Sequence, residues 1–158
     1  MKNILVLCTG NSCRSILGEA LLNYLGDGQI NAFSAGSFPT GQVNPNALAT
    51  IAAHGLSTEG YSSKSWDELA DQKIDIVITV CDNAAGETCP VYLDKTVRAH
   101  WGLPDPTHAS GTDEEIKTAF ENTYFALESR IKKMLMIPLS ELSDQELSTT
   151  LNKIGDAE

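Results

Sequence analysis

Apolar and polar positions along this chain follow two alternating rhythms. Ile4-Leu5-Val6-Leu7 is a short continuous apolar run and predicts a buried parallel strand over 2–8. The spacing then turns helical. Ile16, Leu17, Ala20, Leu21 and Leu25 form one stripe, which predicts a helix over 14–25 stopped at Gly26. Residues 29–34 alternate as a second strand, and Ala35-Gly36-Ser37 turns the chain. Asn44-Pro45 predicts a helix start, with Asn44 as cap and Pro45 in the first turn; this helix should end at Gly55. Ser65-Trp66-Asp67-Glu68 reads as a capping box opening a short helix.

Ile74–Val80 is the next strong strand, with Cys81 at its carboxyl end, and a shorter strand covers Val97–His100. Thr112 and Glu115 form another capping box. The long helix behind it carries Ile116, Phe120, Tyr124, Leu127, Ile131 and Leu135, and Pro138 stops it. Residues 140–153 read as a weaker last helix or a loosely held tail. Strands alternating with helices predict an α/β fold, a three-layer sandwich on a four-stranded parallel sheet. Residues 1–158 read as one domain, with 138–158 as its C-terminal helix or tail.

Between the first strand and the first helix lies Cys8-Thr9-Gly10-Asn11-Ser12-Cys13-Arg14-Ser15. In parallel sheets, ligands bind beyond the carboxyl ends of the strands. Backbone N–H groups of such a loop, from Thr9 through Ser15, converge on a tetrahedral oxyanion. Arg14 can grip two oxygens with its planar fork. The same positive field should lower the Cys8 thiol pKa and make it a nucleophile. Ser15 should donate a hydrogen bond to that thiolate. Gly10 and Asn11 tolerate the positive φ of a tight cradle. Cys13 lies in the loop but should face the core.

Composition narrows the function. The formal net charge is −10, which does not suit nucleic acid or an anionic membrane surface. An anionic substrate must then be captured by a local positive site. No apolar run approaches a membrane span, and the N-terminus lacks a signal-peptide pattern, so a cytoplasmic location is expected. In that compartment the four cysteines are better read as catalytic or redox-active than as a disulfide framework. Their spacings, Cys8-x4-Cys13 and Cys81-x7-Cys89, do not suit zinc, and His54, His100 and His108 show no metal spacing.

Cys81 sits on the same strand-end rim as Cys8. If 81–89 were helical, the Cys81 and Cys89 Cα atoms would stand about 12 Å apart, at ~1.5 Å rise per residue. A disulfide needs roughly 5–6 Å. The pair can therefore bond only if the segment loops or unwinds, and two unrelated cysteines remain an alternative. Asp105 lies between Pro104 and Pro106, in the loop Trp101-Gly102-Leu103-Pro104-Asp105-Pro106. It is a candidate general acid, or else part of an Asp-Pro turn. Trp66 and Trp101 read as packing residues.

These motifs, with Phe33-Ser34-Ala35-Gly36-Ser37, resemble the low-molecular-weight tyrosine phosphatase family. The Cys81…Cys89 pair and the Asp-Pro loop resemble its thioredoxin-coupled arsenate reductase branch, over about residues 1–137. The resemblance implies that Cys8 attacks arsenate while Arg14 and the loop hold it and Asp105 protonates the departing hydroxide. Cys81 would then attack Cys8 and release arsenite, and Cys89 would attack Cys81. The resulting Cys81–Cys89 disulfide would be reduced by thioredoxin, or by glutathione and glutaredoxin. Phosphate and sulfate would act as substrate analogues. No resident cofactor is implied, and nothing requires more than a monomer.

In parts of the family a potassium ion supports the loop, at positions matching Asn11, Ser34 and the Ser62-Ser63 region plus an aspartate. Lys64 takes the aspartate's place here, and its ammonium is expected to replace the ion. Two other functions fit the first site: a phosphotyrosine phosphatase, and a non-enzymatic oxyanion or redox sensor. No aromatic-rich stretch follows Asp105-Pro106 to stack a phenolic ring, and a phosphatase would leave the second and third cysteines idle.

Overall fold

The computed structural model describes residues 2–81, 96–104 and 106–156. Four strands carry the fold: β1 (Lys2–Cys8), β2 (Ile30–Gly36), β3 (Ile76–Thr79) and β4 (Val97–His100). They form one parallel sheet in the order β2-β1-β3-β4. The helices are α1 (Arg14–Gly26), α2 (Pro45–Ala53), α3 (Asp113–Leu135) and α4 (Asp144–Asp156), with 3-10 turns at Trp66–Leu69 and Pro106–His108. Ile4, Leu5, Val6 and Leu7 are all buried, so both faces of β1 are covered. That is the layered α/β arrangement that the continuous apolar run requires.

The boundaries differ in instructive places. β2 runs on to Gly36 because Ala35 and Gly36 pair with Leu7 and Cys8, carrying the sheet to the rim. β3 is shorter than its apolar run. Gly26 does not take the left-handed stop. Asp27 and Gly28 do, at φ 44° and 83°, while Gly26 admits Ile30, whose Cβ would lie 2.7 Å from an added Cβ. On α3 the buried stripe ends at Met134, and Leu135 faces outward.

The C-terminal segment is a packed helix. Ser143 and Glu146 cap its start reciprocally, the Ser143 N–H donating to Glu146 Oε1 and the Glu146 N–H to Ser143 Oγ. Leu147, Leu151 and Ile154 are buried at helical spacing, each contributing roughly 1.5–3 kcal/mol of apolar burial. The helix covers the open edge of β4. The Ser148 hydroxyl donates to the Arg98 carbonyl at 2.6 Å, and Asn152 Oδ1 accepts from the His100 N–H at 2.9 Å. Side chains thus satisfy edge groups that a fifth strand would otherwise claim.

Candidate active site

The Cys8–Ser15 loop leaves the end of β1 and enters α1, as the pattern predicts. Its carbonyls are taken from outside. Thr9 O accepts from the Phe38 N–H at 3.0 Å, and Ser12 O from the Asn44 N–H at 2.8 Å. Gly10 O accepts from the Thr40 N–H and the Ser63 hydroxyl, each at 3.0 Å. In a trans peptide the carbonyl of one residue and the N–H of the next point opposite ways. Outward carbonyls at 9, 10 and 12 therefore turn the amides of Gly10, Asn11 and Cys13 inward. The start of α1 adds to this. Its N-cap, Cys13, makes no side-chain cap, and the first turn carries no acidic residue. The first-turn amides and the helix dipole there favour an anion.

Asn11 sets the loop's shape. It is fully buried and takes φ 48°. Its amide donates to Ser15 Oγ at 2.8 Å, and its Oδ1 accepts from the Lys64 backbone N–H at 2.8 Å. Gly10 does not adopt positive φ, so of the two residues proposed for that role only Asn11 fills it. Gly36 is the loop's other requirement, a role that its place in a turn does not announce. An added Cβ would stand 2.3 Å from Thr9 O and 3.1 Å from Asn11 Cβ. Gly36→Ala should destabilise the fold by about 1–3 kcal/mol through overpacking, read as a lower denaturant midpoint. An unchanged midpoint would mean that the loop yields freely.

Cys8 and Cys81 come together at the strand-end rim. Cys8 and Cys81 are both buried, and the Cys81 side chain hydrogen-bonds the Cys8 thiol. Thr9 Oγ1 lies 3.4 Å from Cys81 Sγ. The electrostatics reverse one expectation. The Cys8 pKa is raised, first by the hydrogen bond with Cys81, then by burial; the Arg14 charge pulls it down without prevailing. Two thiols in contact share one proton more readily than they lose two. Ser15 Oγ accepts from the Asn11 amide, and Ser15 is not among the groups setting the Cys8 thiol. Removing Cys81 removes the leading cause. In Cys81→Ala, alkylation of Cys8 by iodoacetamide should therefore reach its midpoint at lower pH than in the unmodified chain. An equal or higher midpoint would contradict this pairing.

Arg14 reaches across the rim and donates from Nη1 to the Leu103 carbonyl at 2.8 Å. That carbonyl, 89 positions away in sequence, is a contact no motif announces. Cys13 is buried, as expected. Ser34 donates to Glu19 on α1. No sequence motif marks Glu19, because its neighbours converge only in the tertiary fold. Burial raises its pKa, while Ser34 and the Lys64 charge lower it. Lys64 supports Asn11 through its backbone N–H rather than its ammonium, which donates to the Ser62 carbonyl at 3.0 Å. Cys89 and Asp105 lie outside the described residues, so their proposed roles rest on the sequence. Among the described residues, no group of three or more His, Cys, Asp or Glu is placed to hold a metal. No helix among them is long and apolar enough to cross a membrane.

The chain is similar to several known proteins. A family model described as low molecular weight phosphotyrosine protein phosphatase matches residues 3–149. An arsenate reductase of Halalkalibacterium halodurans is 41% identical over 132 residues, covering 83% of this chain and 93% of that protein. The crystal structure of an arsenate reductase from Archaeoglobus fulgidus is similar with a TM-score of 0.69 at 26% identity, covering 85% of this chain and 99% of that one. A tyrosine phosphatase of Erwinia amylovora is similar with a TM-score of 0.66, also at 26% identity, covering 85% of this chain and 91% of that one.

Proposed function

Because the chain belongs to the low molecular weight phosphotyrosine protein phosphatase family, we propose that its oxyanion site serves arsenate reduction through a three-cysteine relay. One observation carries the choice of reduction over hydrolysis: the thiol of Cys81 lies against that of Cys8. Hydrolysis needs one thiol and a water molecule. A second thiol in contact with the first suits a two-electron transfer. The curated relatives named arsenate reductase support the same reading.

Arsenate enters the loop, where inward amides and Arg14 neutralise its charge. Cys8 is the nucleophile that meets this anion. Its proton passes to an arsenate oxygen as sulfur attacks arsenic. Asp105 protonates the departing hydroxide, which leaves as water. Cys81, with Thr9 Oγ1 beside its sulfur to stabilise a thiolate, then passes its proton to an arsenic-bound oxygen and attacks the Cys8 sulfur. The Cys8–arsenic bond breaks, its electron pair stays on arsenic, and arsenite leaves with arsenic reduced by two electrons. Cys89 attacks Cys81, freeing Cys8 and leaving a Cys81–Cys89 disulfide. A dithiol donor such as thioredoxin, or glutathione with glutaredoxin, reduces that disulfide. Ser34 and Lys64 support the loop from outside, Lys64 through its backbone and through the effect of its charge on Glu19.

The test is arsenite formation from arsenate with each thiol system in turn. Sustained arsenite release with at least one of them is expected. Rapid aryl phosphate hydrolysis with no arsenite would leave the phosphatase reading in its place.

A further inference from the structure

Arg14 belongs to α1, yet what orients it is tied to the other end of the chain. Its acceptor, Leu103 O, sits in the stretch Trp101–Leu103 just beyond β4. That stretch is held from several sides. The Trp101 and Leu103 N–H groups donate to Thr79 O and Val80 O at 2.7 and 3.1 Å, at the end of β3. Arg130, buried on α3, donates to Gly102 O at 3.4 Å. The Trp101 indole is 1% exposed and donates from Nε1 to the Leu151 carbonyl of α4 at 2.8 Å. Beside it, Asn152 takes the His100 N–H. Gly155 allows the closest approach: an added Cβ would lie 2.5 Å from His100 O and 2.8 Å from Trp101 Cδ1.

Rotation of the Trp101–Leu103 backbone would carry the Leu103 carbonyl away from the guanidinium. We propose that α4 is a positioning element for Arg14: by seating the Trp101 indole it fixes the carbonyl on which Arg14 rests, and so sets the grip on the oxyanion. The inference rests on the Cys8–Ser15 loop being an oxyanion site. It does not depend on what the bound oxyanion then undergoes.

The test uses the full reduced chain and inorganic phosphate as the probe, with affinity measured calorimetrically well below the thermal transition. Gly155→Ala wedges α4 off the stretch, and Trp101→Phe removes the indole N–H while keeping a ring. Each should weaken phosphate binding about ten-fold, the scale of a misaligned anion donor. Ser148→Ala also loosens α4 from β4, but at Arg98, away from the stretch. It should lower Tm and leave phosphate affinity within about two-fold. In an Arg14→Lys background, Trp101→Phe should add almost nothing, because both changes act on one contact.

The proposal is overturned if folded Trp101→Phe binds phosphate like the unmodified chain, or if Ser148→Ala weakens binding equally. Full additivity with Arg14→Lys also overturns it. Should Gly155→Ala fail to fold, Trp101→Phe decides alone. If the expected pattern appears in a chain that makes no arsenite, the reductase reading falls and the positioning role of α4 stands. If the unmodified chain binds no phosphate, both fall.

Discussion

Cys81→Ser stops arsenate turnover, lowering it by more than about 10³-fold, and leaves aryl phosphate hydrolysis within a few-fold. Serine fits the buried position and can still hydrogen-bond Thr9 and Cys8. It cannot form a disulfide, so arsenic attached to Cys8 has no route to the trivalent state. Hydrolysis of a phosphate ester uses the Cys8 thiol, the loop amides, Arg14 and a water molecule, and needs no second thiol. Comparing steady-state arsenite release with p-nitrophenol release in one preparation separates the two chemistries. An equal loss of both activities would make Cys81 a packing residue of the site rather than the second member of a relay.

Arg14→Lys gives the complementary result. The charge is kept, but the planar fork that binds two oxygens is lost, and so is the Nη1 contact with Leu103. Removing one preorganised donor from an oxyanion site costs about 10²–10³-fold in rate. Here kcat/KM should fall on that scale for arsenate reduction and aryl phosphate hydrolysis alike, because both pass through a charged tetrahedral species in one cradle. A loss confined to one reaction, or under ten-fold in both, would mean that the amides hold the anion without Arg14. The two substitutions together map the site: the oxyanion cradle is shared, and the second thiol is specific to reduction.

Much of this was legible in the sequence where local pattern decides structure. The apolar run Ile4–Leu7 could only be a strand covered on both faces. The Asn44 cap and the Ser65 and Thr112 capping boxes each form as their spacing dictates. The rim position of Cys8 and Cys81 follows from their places at the carboxyl ends of two parallel strands. What stayed hidden was mostly tertiary. Glu19 is an unremarkable polar position on α1 until β2 brings Ser34 to it. Gly36 reads as a turn glycine, but its role is to admit the Thr9 carbonyl. The direction of the Cys8 pKa shift is not legible in sequence, because the positive loop is visible there whereas the contact with Cys81 is not.

The C-terminal helix is a different case. Ser143-x-x-Glu146 is a capping box, and Leu147, Leu151 and Ile154 follow at helical spacing. The signal was present but sparse. A polar segment with Gly155 near its end reads as a tail unless the uncovered edge of β4 is considered with it.

The relay itself is tested most directly in a single turnover. Reduced Cys89→Ser is mixed with arsenate and no reductant, then quenched, and both arsenite and the disulfide-linked peptides are measured. The account predicts about one arsenite per chain and a trapped Cys8–Cys81 disulfide, with no further release. No arsenite with Cys8 and Cys81 both still reduced, or continued turnover once a thiol donor is added, would contradict it.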